Sequence, residues 1–129
     1  MALGVLIVDD SPQFRAVAAE LLAVRGFDVL ATAADADEAL ASAAVVCPDG
    51  VLLDINLGGT DGFTVAESLA AVCPDARIVL TSANVAHVPE ALLRRCAAAA
   101  FVPKEDLAGA DLSLLFTPHP GHADQERLG

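Results

Sequence analysis

The sequence predicts an α/β fold in which five parallel strands, each followed by a helix, form one doubly wound sheet. Short apolar runs alternate with segments of helical periodicity along the chain, and no hairpin signal joins neighbouring strands. The apolar runs are almost continuous, as expected for strands that are buried on both faces. Right-handed crossovers then place helices on both sides of the sheet.

The first half of the chain is predicted to contain three strands and two helices. Ser11 can cap a helix whose first position is Pro12, and Gly26 ends that helix. In order, the predicted elements are a strand at 3–8, a helix at 12–25, a strand at 27–32, a helix at 35–47 and a strand at 51–53.

The second half begins with a glycine-rich loop at 58–62 and a helix with Phe63, Ala66 and Leu69 on one face. It continues with a strand at 77–81, a helix at 89–99, a short strand at 101–102 and a last helix at about 106–116. We expect one domain at 1–117. Residues 118–129 have two prolines, two glycines and no periodicity, which is typical of a flexible tail.

Composition excludes several classes of function. The formal net charge is −11 with only seven Lys and Arg, so direct nucleic-acid binding by this chain is not expected. No apolar run is long enough to span a bilayer, and the first residues do not resemble a signal peptide. We therefore expect a cytoplasmic protein with no membrane partner.

The three cysteines do not form a recognisable metal-binding motif. Cys47, Cys73 and Cys96 are far apart in the sequence, and their odd number does not suggest a disulfide framework. Cys47 and Cys73 each precede Pro-Asp at a predicted helix end. We interpret all three as free thiols in a reducing compartment.

Polar residues stand where four of the predicted strands end. Asp9 and Asp10 follow the first strand, Asp54 the third, Thr81 the fourth and Lys104 the fifth. Function in an open parallel sheet collects at the carboxyl ends of the strands, so we expect these side chains to lie close together. Singly, each has an ordinary structural explanation as a cap, a strand end or a surface residue; jointly, they predict a site.

The charges of this group indicate a metal ion and a phosphoryl group. Three carboxylates and one ammonium leave a formal charge of −2, which one divalent cation cancels, and oxygen ligands favour Mg²⁺. A carboxylate can act as nucleophile and form an aspartyl phosphate. Thr81 and Lys104 could then contact the phosphoryl oxygens.

The order of these motifs resembles the receiver domain of two-component response regulators. The resemblance covers about residues 3–116 and implies a flavodoxin-like sheet with strand order 2-1-3-4-5 and five helices. The segments that carry it are Val8-Asp9-Asp10, Leu53-Asp54-Ile55-Asn56-Leu57, Asp61-Gly62, Leu80-Thr81 and Phe101-Val102-Pro103-Lys104.

The resemblance implies a role for each site residue. Asp54 would accept a phosphoryl group from a histidine kinase or phosphotransfer protein, and the domain would be a signalling switch rather than an enzyme. The implied roles are Mg²⁺ carboxylate ligands for Asp10 and Asp54, a water-mediated role for Asp9, a backbone carbonyl ligand from Asn56, phosphoryl contacts for Thr81 and Lys104, and a switch pair of Thr81 and Phe101.

The resemblance also implies an output surface on the fourth helix, fifth strand and fifth helix. Its candidate residues, which could also mediate a homodimer, are Leu92, Leu93, Arg94, Arg95 and Phe101. Four positions depart from the family pattern, one of which is Phe101, where the family can have tyrosine. Gly58 replaces a common proline and should loosen its loop, Ala100 replaces a common glycine, and Pro103 precedes Lys104 rather than following it.

Three other interpretations are weighed against the receiver. An enzyme of the haloacid-dehalogenase type normally has a carboxylate where this chain has Asn56. A flavodoxin-like flavin binder would need aromatic stacking residues, and the chain has no Trp or Tyr. A receiver-like binding module without phosphorylation would not need the complete set of strand-end residues.

Overall fold

A computed structural model describes residues 2–83, 91 and 98–117, and these form a five-stranded parallel sheet flanked by helices. The strands are β1 (Gly4–Val8), β2 (Asp28–Ala33), β3 (Gly50–Asp54), β4 (Arg77–Ser82) and β5 (Ala100–Pro103). All neighbouring strands are parallel, and their order is β2-β1-β3-β4-β5. The predicted fold class and strand order are confirmed.

Three α-helices connect the first four strands: α1 (Pro12–Val24), α2 (Ala36–Val46) and α3 (Gly62–Val72). Each begins after a polar cap. Ser11 accepts a hydrogen bond from the backbone of Phe14, Asp35 does so from Glu38, and Asp61 does so from Phe63. No helix within the described residues is long and apolar enough to cross a membrane.

Some predicted features lie outside the described residues. These are most of the fourth helix, the tail at 118–129, and four residues of the predicted output surface, namely Leu92, Leu93, Arg94 and Arg95.

The last helical segment differs from the single helix predicted at about 106–116. A 3₁₀ helix, Lys104–Gly109, is followed by a separate short α-helix, Leu112–Phe116. The break occurs because Ala110 is extended and because Asp111 caps the new helix by accepting a hydrogen bond from the backbone of Leu114 at 3.1 Å. Both pieces thereby direct buried side chains onto the sheet.

The sheet has a hydrophobic core on each face. On one face, Leu6 and Leu53 belong to a cluster that also contains Ala66 of α3. On the other face, Ile7 and Leu52 belong to a cluster with helical partners Ala18, Leu22, Leu112 and Phe116. Successive strand residues therefore point into different cores, which explains why the strands are apolar throughout.

The glycine-rich loop forms a small hairpin, and the prediction of no hairpin was wrong at this point. Asn56–Leu57 pairs antiparallel with Thr60–Asp61, and Gly58 and Gly59 form the two-residue turn with φ of +55° and +99°. Positive φ at both central residues is typical of the type I′ turn, which glycine adopts without steric cost. Gly58 thus closes a tight turn, whereas we expected it to loosen the loop.

Cys47 is the only non-glycine residue with positive φ among the described residues, at +45°. It caps α2 in the left-handed conformation, which glycine usually adopts at helix C-termini. Its side chain is exposed, so truncation removes little packing. We expect Cys47→Gly to raise the free energy of unfolding by about 0.5–1 kcal/mol in urea titrations. Cys47→Ala, which keeps the β-carbon, should change it by less than about 0.5 kcal/mol.

Candidate functional site

Three carboxylates meet at the carboxyl edge of the sheet. Asp9 and Asp10 follow β1, and Asp54 ends β3; one oxygen from each lies within 4.8 Å of the others. Asp9 and Asp54 are buried, whereas Asp10 is exposed. The predicted convergence of these residues is therefore observed, and an oxygen-rich group of this kind suits a hard divalent cation.

Lys104 follows β5 and lies between the two buried carboxylates. Its Nζ is 2.8 Å from Oδ2 of Asp9 and 3.4 Å from Oδ2 of Asp54. Burial alone would lower the pKa of Lys104, but the contact with Asp9 and the attraction of Asp54 outweigh it and raise the pKa. Lys104 is therefore a permanent positive charge at physiological pH.

Sequence reasoning missed a contact of Lys104 with Phe14. The ammonium lies 4.2 Å from the centre of the Phe14 ring, which is cation–π geometry. Phe14 was not among the predicted site residues. Its place in the first turn after Asp9 and Asp10 was the signal that could have revealed this role, because that turn begins at the same edge of the sheet.

The backbone holds each buried carboxylate in the same way. The N–H of Ser11 donates to Oδ1 of Asp9 at 2.8 Å, and the N–H of Asn56 donates to Oδ1 of Asp54 at 3.1 Å. In both residues Oδ2 is the oxygen that contacts Lys104. One oxygen thus fixes the rotamer of each carboxylate, and the other faces the site.

Burial disfavours the ionised form of Asp54. It raises the pKa of Asp54 to about 6; the Asn56 N–H opposes the rise, the Asp9 charge adds to it, and Lys104 opposes it. The effect of burial and of the neighbouring carboxylate therefore exceeds that of the donors. A cation bound among the three carboxylates would reverse this balance.

Thr81 and Phe101 lie on the two strands beyond Asp54. Asp54 pairs in register with Thr81, and the neighbouring Leu80 pairs with Phe101. Oγ of Thr81 is fully buried, and it has no hydrogen-bond partner among the described residues. A buried hydroxyl without a partner costs about 1–3 kcal/mol. Phe101 is half-buried and packs against the core cluster on its face of the sheet.

The hairpin lies beside the acidic cluster. A β-carbon at position 58 would be 3.4 Å from Oδ2 of Asp10, so the turn passes close to this carboxylate. Asn56, at the base of the hairpin, has an exposed side chain and uses its backbone N–H to hold Asp54. The glycine turn therefore shapes the open side of the site.

Comparison with known proteins identifies the class. Residues 5–109 match the model of the response regulator receiver domain, so the chain belongs to this family of two-component systems. The chain is 34% identical to the chemotaxis protein CheY of Bacillus subtilis over 83 residues, which cover 64% of this chain and 69% of CheY.

Two further similarities concern a longer protein and a solved complex. A protein-glutamate methylesterase/protein-glutamine glutaminase of Archaeoglobus fulgidus is 34% identical over 110 residues, covering 84% of this chain and 32% of that protein. The chain spans about a quarter to a third of the length of several curated relatives that it matches. A CheX–CheY–BeF3–Mg²⁺ complex of Borrelia burgdorferi matches with a TM-score of 0.70 and 26% identity, covering 98% of this chain and 86% of that one.

Proposed function

We propose that this receiver domain accepts a phosphoryl group on Asp54 from a histidine kinase or a phosphotransfer protein, with Mg²⁺ as cofactor. The observation that carries the proposal is the buried hydroxyl of Thr81, which lacks a partner among the described residues and adjoins Asp54 in the sheet. A phosphoryl group on Asp54 would bring three strong acceptor oxygens into this region. Thr81 could donate to one of them, and Lys104 could pair with another.

The donor set fits Mg²⁺. Asp10 and Asp54 would supply carboxylate ligands, the backbone carbonyl of Asn56 would supply a third oxygen, and Asp9 would act through water. Together with Lys104, the three carboxylates have a formal charge of −2, which one Mg²⁺ neutralises. When bound, Mg²⁺ would offset the negative charge of the phosphoryl group and of the carboxylates during transfer.

The residues of the chain position the reactants. The Asn56 N–H holds one oxygen of Asp54, so the carboxylate presents its other oxygen to the site. A bond forms between an Asp54 oxygen and phosphorus, the bond from phosphorus to the donor histidine breaks, and that histidine nitrogen keeps the electron pair. Lys104, already adjacent to Asp54, stabilises the negative charge that enters.

We propose that the signal leaves through the β5 side of the domain. Thr81 moving toward the phosphoryl group would shift β4, and Phe101, half-buried on β5, would turn further inward. The predicted output surface of Leu92, Leu93, Arg94, Arg95 and Phe101 would then change its contacts with a partner or a second copy of the chain. The net charge of −11 favours protein partners over nucleic acid.

Acetyl phosphate labelling tests this proposal directly. Incubation with acetyl phosphate and Mg²⁺ should add the mass of one phosphoryl group, and EDTA should prevent the addition. Borohydride trapping followed by peptide mapping should place the modification at Asp54. Modification at any other residue, or labelling that is equal in EDTA, would contradict the proposal.

A further inference from the structure

The ends of α2 and α3 bring two cysteines together at the edge of the sheet opposite to the acidic cluster. Each helix is followed by the triplet Cys-Pro-Asp, at 47–49 and at 73–75. Both triplets line one cavity of about 310 Å³. The proposed phosphorylation chemistry uses none of these residues, so the repeated triplet requires a separate explanation.

A shared hydrogen-bond acceptor shows how close the two cysteines are. The carbonyl oxygen of Ala43 accepts the backbone N–H of Cys47 at 3.0 Å and the thiol of Cys73 at 3.3 Å. The distance from the backbone nitrogen of Cys47 to Sγ of Cys73 therefore cannot exceed the sum of these two hydrogen-bond distances. The Cys47 thiol is also a hydrogen-bond neighbour of the Cys73 thiol, so the two sulfurs lie close together. A disulfide between them requires β-carbons about 3.5–4.5 Å apart, a distance that is set by the backbone at the two helix ends.

The two thiols have unequal access to solvent. Cys47 is exposed, whereas Cys73 is buried and only 8% of its surface is accessible. Burial, with the neighbouring Cys47, raises the pKa of the Cys73 thiol. An oxidant in solution therefore meets Cys47 first, and Cys73 is placed behind it as the residue that resolves the adduct.

We propose that Cys47 and Cys73 form a thiol pair that small disulfides oxidise to an intramolecular disulfide joining the ends of α2 and α3. The Cys47 thiolate attacks one sulfur of the small disulfide, whose other sulfur leaves as a thiolate. Cys73 releases its proton to solvent, and its sulfur attacks Sγ of Cys47, expelling the second small thiolate. Two protein thiols are oxidised, and one small disulfide is reduced to two thiols.

Oxidised glutathione provides the test on the full chain. After incubation at pH 8, we expect two of the three thiols to be lost, the mass to fall by two hydrogen atoms, and a peptide linking Cys47 to Cys73 to appear. Dithiothreitol should restore all three thiols. Cys96→Ser should form the same linkage, because the third cysteine has no part in it.

The variant Cys47→Gly removes the proposed attacking thiol without disturbing the fold. Glycine suits the left-handed backbone at position 47, so this variant should fold at least as well as the wild type. It should leave Cys73 unmodified by oxidised glutathione, with no loss of mass. The proposal fails if glutathione remains attached to Cys47 in the wild type, if Cys47 links two chains, or if the linked peptides contain Cys96.

Discussion

Replacing Asp54 by asparagine should abolish acetyl phosphate labelling and, in the absence of metal, make the domain more stable. An amide cannot form the aspartyl phosphate, so Mg²⁺-dependent labelling should fall to background. Asparagine keeps an acceptor for the N–H of Asn56 and removes a charge whose burial and repulsion by Asp9 outweigh its attraction to Lys104. We expect the free energy of unfolding in EDTA at pH 7.5 to rise by about 1–3 kcal/mol.

The difference in the free energy of unfolding between wild type and Asp54→Asn should depend on pH because of the pKa of Asp54. Its pKa rises from 3.8 to about 6 on folding, so the native state binds the proton more tightly than the unfolded chain. The Asp54 contribution to stability therefore falls as pH increases from about 4 to about 6, and it stays low above that. Urea titrations in EDTA should show a gap between wild type and Asp54→Asn that is full at pH 7.5 and nearly absent at pH 4.

Two comparisons make this result specific. Asp10→Asn removes a carboxylate of the same cluster that is exposed, so it should change the metal-free stability by less than about 0.5 kcal/mol. Adding Mg²⁺ should stabilise the wild type more than Asp54→Asn, because the ion binds the native carboxylates. Equal stability of wild type and Asp54→Asn in EDTA at pH 7.5 would show that Asp54 is not under electrostatic strain.

The convergence of the strand-end residues was predictable because a parallel sheet places the carboxyl ends of its strands at one edge. Once Asp9, Asp54 and Thr81 were assigned to the ends of apolar strands, their convergence required only that the strands be parallel and adjacent. The register confirms this, since Asp54 pairs with Thr81 directly. Lys104 follows the same logic at the end of β5.

The contacts that complete the site were not predictable in this way. Whether Lys104 contacts Asp9, Asp54 or solvent depends on its rotamer and on the packing of Phe14, which comes from a helix about ninety residues earlier in the chain.

The break in the last helical segment, between Gly109 and Leu112, was also not predictable. It depends on local capping by Asp111, which competes with continuous helical periodicity. The hairpin at Gly58 and Gly59 was missed although Gly-Gly is a turn signal, because its paired segments are only two residues long.

Gly62→Ala should be among the most damaging substitutions in the chain. A β-carbon at this position would lie 2.6 Å from the carbonyl oxygen of Asp54 and 2.6 Å from Cα of Ile55. The obstruction is backbone rather than a flexible side chain, and the Gly62 N–H is held to the Ile55 carbonyl at 2.7 Å. The start of α3 and the segment after β3 must therefore separate, which should lower the free energy of unfolding by about 2–4 kcal/mol.

The same displacement should impair function, because Ile55 directly follows Asp54, the proposed phosphoacceptor, in the chain. Acetyl phosphate labelling of Gly62→Ala should be slower than that of the wild type at a temperature where both are folded. Gly109→Ala is the matched control: a β-carbon there meets no atom within 4 Å, so stability should change by less than about 0.5 kcal/mol and labelling should be unaffected. Wild-type stability and labelling in Gly62→Ala would show that the segment carrying Asp54 can move without cost, and the site would then not depend on this close approach of α3.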